Sequence, residues 1–250
     1  MDERKAHIVD KGEGRRTFGA KAILILLLFL GTVLCLGLGQ HIRTYTGRSI
    51  YLYLNWDMFL AWVPMGLALS LEAAFVMLAR VRLLRAAVML GLGGLWLFFY
   101  PNSGYLITDL LHPFVHYRPE PGQRFVWDIE FWHHLMLFFS AACIGIVLSF
   151  ISLFSVQRLV RLSFGSLASW LFAVMVLGAS SIGIYIGRFV RWNSWDVWVR
   201  PRYLLQETVR MFTEREQLEH IVSFSVLIFA FTLIGYLVFY VAAGLRGRTE

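Results

Sequence analysis

The chain has 250 residues, 58% of them hydrophobic, a mean hydropathy of +0.63 and a formal net charge of +7. That apolar content lies outside the range of soluble globular domains. The basic residues sit at the ends of apolar runs instead of forming one stripe, and no RNA- or DNA-binding motif is present. Nucleic acid is thereby excluded as a partner and membrane lipid is favoured.

In chain order, residues 1–20 carry Arg4, Lys5, Lys11, Arg15 and Arg16 and read as a cytoplasmic basic tail. A single transmembrane domain follows over 21–245. Five apolar runs, at 22–39, 56–79, 129–150, 164–186 and 221–245, are long enough for a ~30 Å hydrocarbon core. A sixth, 86–100, would span only about 22 Å. It runs into Pro101-Asn102-Ser103-Gly104, where a missing amide hydrogen and a permissive glycine predict a broken helix at the outer interface. The first run is too long for a cleaved leader and reads as an anchor. Cys35 and Cys143 both lie inside spans, so no disulfide framework is implied.

Six spans leave the basic segments 1–21, 80–85, 157–162 and the C-terminal Arg246 and Arg248 on one side, which the positive-inside rule makes cytoplasmic. Trp56, Trp127, Trp132, Trp192, Trp195 and Trp198 cluster at the opposite span ends as an outer aromatic belt. Between spans five and six, Leu204, Leu205, Val209 and Phe212 recur at helical spacing against Gln206, Glu207, Arg210 and Glu214. That pattern predicts an amphipathic helix on the outer surface. The fold class is therefore all-α: a polytopic membrane bundle of six transmembrane helices, the third broken, with both termini cytoplasmic.

Three sequence blocks stand out. They are Asn55-Trp-Asp-Met-Phe-Leu-Ala-Trp-Val-Pro64, Leu95-Trp-Leu-Phe-Phe-Tyr-Pro-Asn-Ser-Gly-Tyr-Leu-Ile-Thr-Asp-Leu-Leu-His112 and Gly183-Ile-Tyr-Ile-Gly-Arg-Phe-Val-Arg-Trp-Asn-Ser-Trp-Asp196. They resemble the signature blocks of a bacterial polytopic membrane family, domain of unknown function 1361, over roughly residues 50–240. Ser103-Gly104 replaces the Ala-Pro associated with that family, which should soften the break. The resemblance implies a bacterial inner-membrane protein with several spans and specifies no activity.

Candidate chemistry concentrates on the outer face. Asp109 and His112 share a helical face and read either as a base with its orienting carboxylate or as two metal ligands. The structural alternative makes Asp109 a helix cap or the partner of Arg188. Glu130 and His133 repeat the three-residue spacing, with His134 beside them, and join Asp109 and His112 as candidate metal ligands; Glu216 and His220 form a further pair. Arg188, Asn193 and Asp196, with Asn102 and Tyr105 from the break, are candidate binding residues for phosphate or carboxylate. The alternative for the arginines is snorkelling at a span end. Asn55 and Asp57 read as a helix start, Asn55 as its cap. Glu72, inside the second span, must face the bundle, be protonated or bond Ser70 or another helix.

These features suggest three functions. The first is a pocket opening outward onto a lipid or lipid-linked phosphate, with Arg188 and Asn193 on the anion and Asp109 and His112 as base or ligands. The others are an assembly or scaffold subunit without catalysis, and a small transporter. No cofactor or protein partner is specified.

Overall fold

A computed structural model describes residues 3–117, 126–190, 199, 202 and 213–246, with the side chains of 3–18, 116, 245 and 246 outside the description. Among the described residues every regular element is helical. They are α1 (Glu3–Thr46), α2 (Tyr53–Met77), α3 (Arg82–Phe99), α4 (Pro101–Tyr105), a 3-10 turn (Leu106–Leu111), α5 (His112–His116), α6 (Ile129–Tyr185) extended by a π turn (Ile186–Val190), and α7 (Arg215–Arg246). Five continuous helical stretches are long and apolar enough to cross a membrane: Gly19–Thr46, Tyr53–Met77, Arg82–Val115, Ile129–Val190 and Arg215–Gly244.

The fourth stretch is folded back on itself. Gly165, with φ 87° and ψ 177°, interrupts α6. These angles are closed to most L side chains, so glycine makes the reversal possible. Two contacts demonstrate the hairpin. Gly145 lies against Ser103 and Leu106, and Gly183 against Pro101. On a straight helix those two glycines would be roughly 57 Å apart. The hairpin packs against α1, α2, α4, the 3-10 turn, α5 and α7 and so forms the centre of the bundle.

Buried hydroxyls and amides hold the helices together where apolar packing alone would leave them free to slide. Trp96 Nε1 donates to Ser152 Oγ at 2.8 Å, and Ser152 Oγ to the Pro64 carbonyl at 3.0 Å. Ser149 Oγ meets the Tyr100 hydroxyl at 2.8 Å, Ser103 Oγ donates to the Ala61 carbonyl at 2.7 Å, and the Tyr236 hydroxyl donates to Gln157. Outside this interior the surface is apolar: Leu26, Leu27, Leu30 and Leu34 of α1 and Val226, Leu227, Ile234 and Val238 of α7 are all exposed.

Several expectations need correction. The chain stays helical through Pro101-Asn102-Ser103-Gly104, and the departure from α geometry comes later, at Leu106–Leu111. Pro101 occupies the first position of α4, where its missing N–H costs least, and Gly104 keeps ordinary helical angles. Segment 157–162 is helix as well, with Gln157 buried; the reversal falls at Gly165. Asn55 is not a cap, because α2 starts at Tyr53 after Leu52 with no side-chain cap. The expected amphipathic helix falls largely outside the described residues.

A buried, incompletely paired ion pair

Two irregular turns face each other at one end of the bundle. The 3-10 turn carries Asp109, and the π turn carries Arg188. A π turn inserts an extra residue and redirects the side chains that follow, which is why such turns recur at functional sites. Gly145 lets the chain around the 3-10 turn lie directly on α6. A Cβ there would stand 2.3 Å from the Ser103 carbonyl oxygen and 2.9 Å from Leu106 Cδ1.

Arg188 Nη1 donates to Asp109 Oδ1 at 3.1 Å. The Asp109 side chain is 1% exposed and that of Arg188 20%. Asp109 Oδ2 is buried with no hydrogen-bond partner among the described residues. The Tyr105 hydroxyl lies within hydrogen-bonding reach of Arg188. A guanidinium offers five donors in a planar fork, and a bidentate carboxylate pair would use two of them. Among the described residues the Asp109 carboxylate takes one of these donors and the Tyr105 hydroxyl lies in reach of the fork, so the pair is monodentate rather than bidentate.

His112 is fixed beside this pair. Its Nδ1 donates to the Asp109 carbonyl at 3.0 Å and stands 3.5 Å from Asp109 Oδ1. The ring stacks on Phe138 at 5.2 Å and meets Tyr53 at 5.4 Å. Asp57, in the second turn of α2, is in electrostatic range of Asp109, Tyr53 and Tyr105. No hydrogen-bond donor or cation pairs with the Asp57 carboxylate among the described residues.

Of the residues singled out from sequence, Asp109, His112, Arg188 and Tyr105 come together. Asn102 binds its own helix, its Nδ2 donating to the Phe99 carbonyl at 3.0 Å. Asn193 and Asp196 lie outside the described residues. The four candidate metal ligands do not form one donor set. Glu130 belongs to a separate node, and His133 packs against His41 and Tyr45 at 6.1 and 6.5 Å. Among the described residues no three His, Cys, Asp or Glu side chains converge as ligands.

That separate node centres on His134, which the three-residue spacing passed over. On α6 Glu130 and His134 are four apart, 3.8 Å between Oε1 and Nε2. Tyr117 donates to Glu130 Oε1 at 2.6 Å, and Arg48 lies 3.9 Å away. The Tyr51 hydroxyl meets His134 Nδ1 at 3.0 Å. Burial, and secondarily Glu130, push the Tyr51 hydroxyl up to about 12. The Tyr117 hydroxyl is also pushed up, by burial and then by Glu130. Tyr51 adopts φ 57°, rare for a bulky residue, and this aims its ring into the bundle. No local sequence signal marks a left-handed tyrosine.

At the other end, Lys21 Nζ donates to Glu72 Oε1 at 2.8 Å, to Oε2 at 2.6 Å and to Ser155 Oγ at 2.7 Å. All three ammonium donors are used, and α1, α2 and α6 are joined. Glu72 therefore has its partner on another helix. The sequence carried a hint, since Lys21 is the cation adjoining the first apolar run.

No curated protein and no solved structure matches the chain. A family model does match, over residues 56–234, a stretch that contains Asp57, Asp109 and Arg188 and omits Lys21. The chain thus belongs to the family described as protein of unknown function (DUF1361).

Proposed function

We propose that this protein crosses a bacterial cytoplasmic membrane six times, with both termini cytoplasmic. We further propose that the Asp109–Arg188 centre binds the phosphate of a lipid or lipid-linked headgroup on the extracytoplasmic side. The hairpin at Gly165 supports the span count, because each arm of α6 is long enough to cross separately. The positive-inside rule supports the orientation. Arg80, Arg82, Arg85, Arg158 and Arg161 lie towards the Lys21–Glu72 end, opposite Arg188. The exposed leucine and valine faces of α1 and α7 suit contact with lipid.

The incomplete use of Arg188 carries the functional reading. Tying helices together requires a closed ion pair, as at Lys21 and Glu72. A guanidinium held on one Nη by a fully buried carboxylate is instead oriented, and among the described residues its remaining donors are not taken up by a second carboxylate, which suits an anion. Asp109, being inaccessible, acts as a positioning residue, and Arg188 is the group that would touch the ligand. His112, clamped between Tyr53 and Phe138, keeps the Asp109 backbone in place.

Lipid phosphorus retained by the purified protein tests this. Wild type should keep phospholipid through detergent washing, and Arg188→Lys, which retains charge but loses the planar fork, should release most of it at an unchanged thermal midpoint. Equal retention by the two would overturn the proposal.

A further inference from the structure

The charge inventory of the same centre narrows the headgroup class. Among the described residues it holds two carboxylates, Asp57 and Asp109, against one guanidinium, Arg188. Asp109 already engages that guanidinium at 3.1 Å and still leaves Oδ2 buried without a hydrogen-bond partner among the described residues. Asp57, one helical turn after Tyr53 on α2, has no donor or cation of its own among the described residues. A carboxylate near the membrane interface without a countercharge is costly, so a cation brought by the ligand would be favoured there. Tyr53, 40% exposed and tilted against the His112 ring at 5.4 Å, adds an aromatic wall in electrostatic range of Asp57. Ammonium groups are attracted to such faces. A purely anionic ligand would satisfy Arg188 while adding negative charge beside Asp57 and Asp109.

We propose that the ligand is zwitterionic, an aminoalkyl phosphate of the phosphoethanolamine type. Its phosphate takes the open donors of Arg188, and its primary ammonium hydrogen-bonds the Asp57 carboxylate next to Tyr53. This deepens the headgroup reading above and rests on it. A quaternary trimethylammonium would lose the N–H bonds to Asp57, and a glycerol headgroup would lose the charge.

The test uses the full-length protein in detergent, exposed in turn to phosphatidylethanolamine, phosphatidylglycerol and phosphatidylcholine, with bound lipid counted by native mass spectrometry. Wild type should prefer phosphatidylethanolamine over either alternative by about two- to fivefold, the scale of one partly exposed ion pair. Asp57→Asn should lose the preference over phosphatidylglycerol while still binding lipid phosphate, and Asp57→Glu should keep it. Equal binding of phosphatidylethanolamine and phosphatidylglycerol by wild type would overturn the ammonium contact and leave phosphate binding standing. If all three lipids bind alike and Arg188→Lys changes nothing, the headgroup reading falls as well. The three-lipid comparison needs no variant, so it decides the matter even where a variant misfolds. Soluble O-phosphoethanolamine separates the sources: displacement of bound lipid would show that the headgroup alone suffices, and failure to displace would show that the acyl chains are required.

Discussion

The two ends of the bundle each hold an ion pair between helices, and the pairs differ in completeness. At the Lys21 end, the ammonium directs its three donors to Glu72 and Ser155, and nothing is left over. At the Arg188 end, a buried aspartate takes one Nη, and among the described residues its second oxygen has no hydrogen-bond partner and the nearby Asp57 pairs with no cation. A closed pair ties helices together. An open one, set on a 3-10 turn and a π turn, is the arrangement on which the proposed headgroup site rests.

Breaking the Asp109–Arg188 pair should have the largest effect. Arg188→Leu would strand the Asp109 carboxylate in the interior and should destabilise the protein by about 3–5 kcal/mol in detergent unfolding. Adding Asp109→Asn should recover much of that loss without restoring lipid. Recovery of lipid by the double variant would show that Arg188 does not contact the ligand.

Gly145→Ala comes next. The new Cβ would collide with the Ser103 carbonyl and push the segment carrying Asp109 off α6, at a cost of about 1–3 kcal/mol. Lipid retention should fall with it. An alanine variant of full stability and full retention would mean that this close approach does not position the site.

The Lys21–Glu72 pair gives the contrasting result. Lys21→Met should cost about 1–2 kcal/mol, less than a fully buried pair because both side chains are partly exposed. Glu72→Gln in the same chain should offset most of it, and lipid retention should stay at the wild-type level throughout. A loss of lipid in Lys21→Met would erase the distinction between the two ends.

The smallest effect concerns the Tyr51–His134 node. Tyr51→Phe should cost about 1 kcal/mol, the worth of one hydrogen bond. The native state holds the Tyr51 proton more tightly than the unfolded chain, for which the ordinary value is 10.0. Its contribution is therefore fully present below pH 10 and fades as pH rises towards about 12. Ultraviolet titration should show one tyrosinate appearing near pH 12 in wild type and missing in Tyr51→Phe. Ionisation of Tyr51 near pH 10 would contradict its burial against Glu130.

The helices were legible in the sequence because lipid demands length and apolarity together, and both are local properties. The pairing of Asp109 with Arg188 was legible as a candidate, since a guanidinium at the end of an apolar run needs a carboxylate and few exist. Its incompleteness was not, because it depends on the 3-10 and π turns that aim the two side chains. The break expected at Pro101 failed for a related reason: proline at the first position of a helical turn and a glycine in ordinary helical angles are both compatible with a continuous helix. The basic segment 157–162, singled out by Arg158 and Arg161 as a connection between spans, is helix instead, because Gln157 is buried with a partner across the bundle and the reversal waits for Gly165. His133 was favoured over His134 by a three-residue spacing, whereas the helix placed the four-residue neighbour beside Glu130.

The most direct measurement is an experimental structure of the full-length protein in a phospholipid nanodisc, resolved well enough to trace a headgroup beside Arg188. The account predicts a phosphate on the open donors of the guanidinium, with Asp109 still on Nη1 and an amine against Asp57. It is contradicted if those donors are filled by side chains of the protein, Asp196 for example, and no lipid phosphate lies within hydrogen-bonding distance.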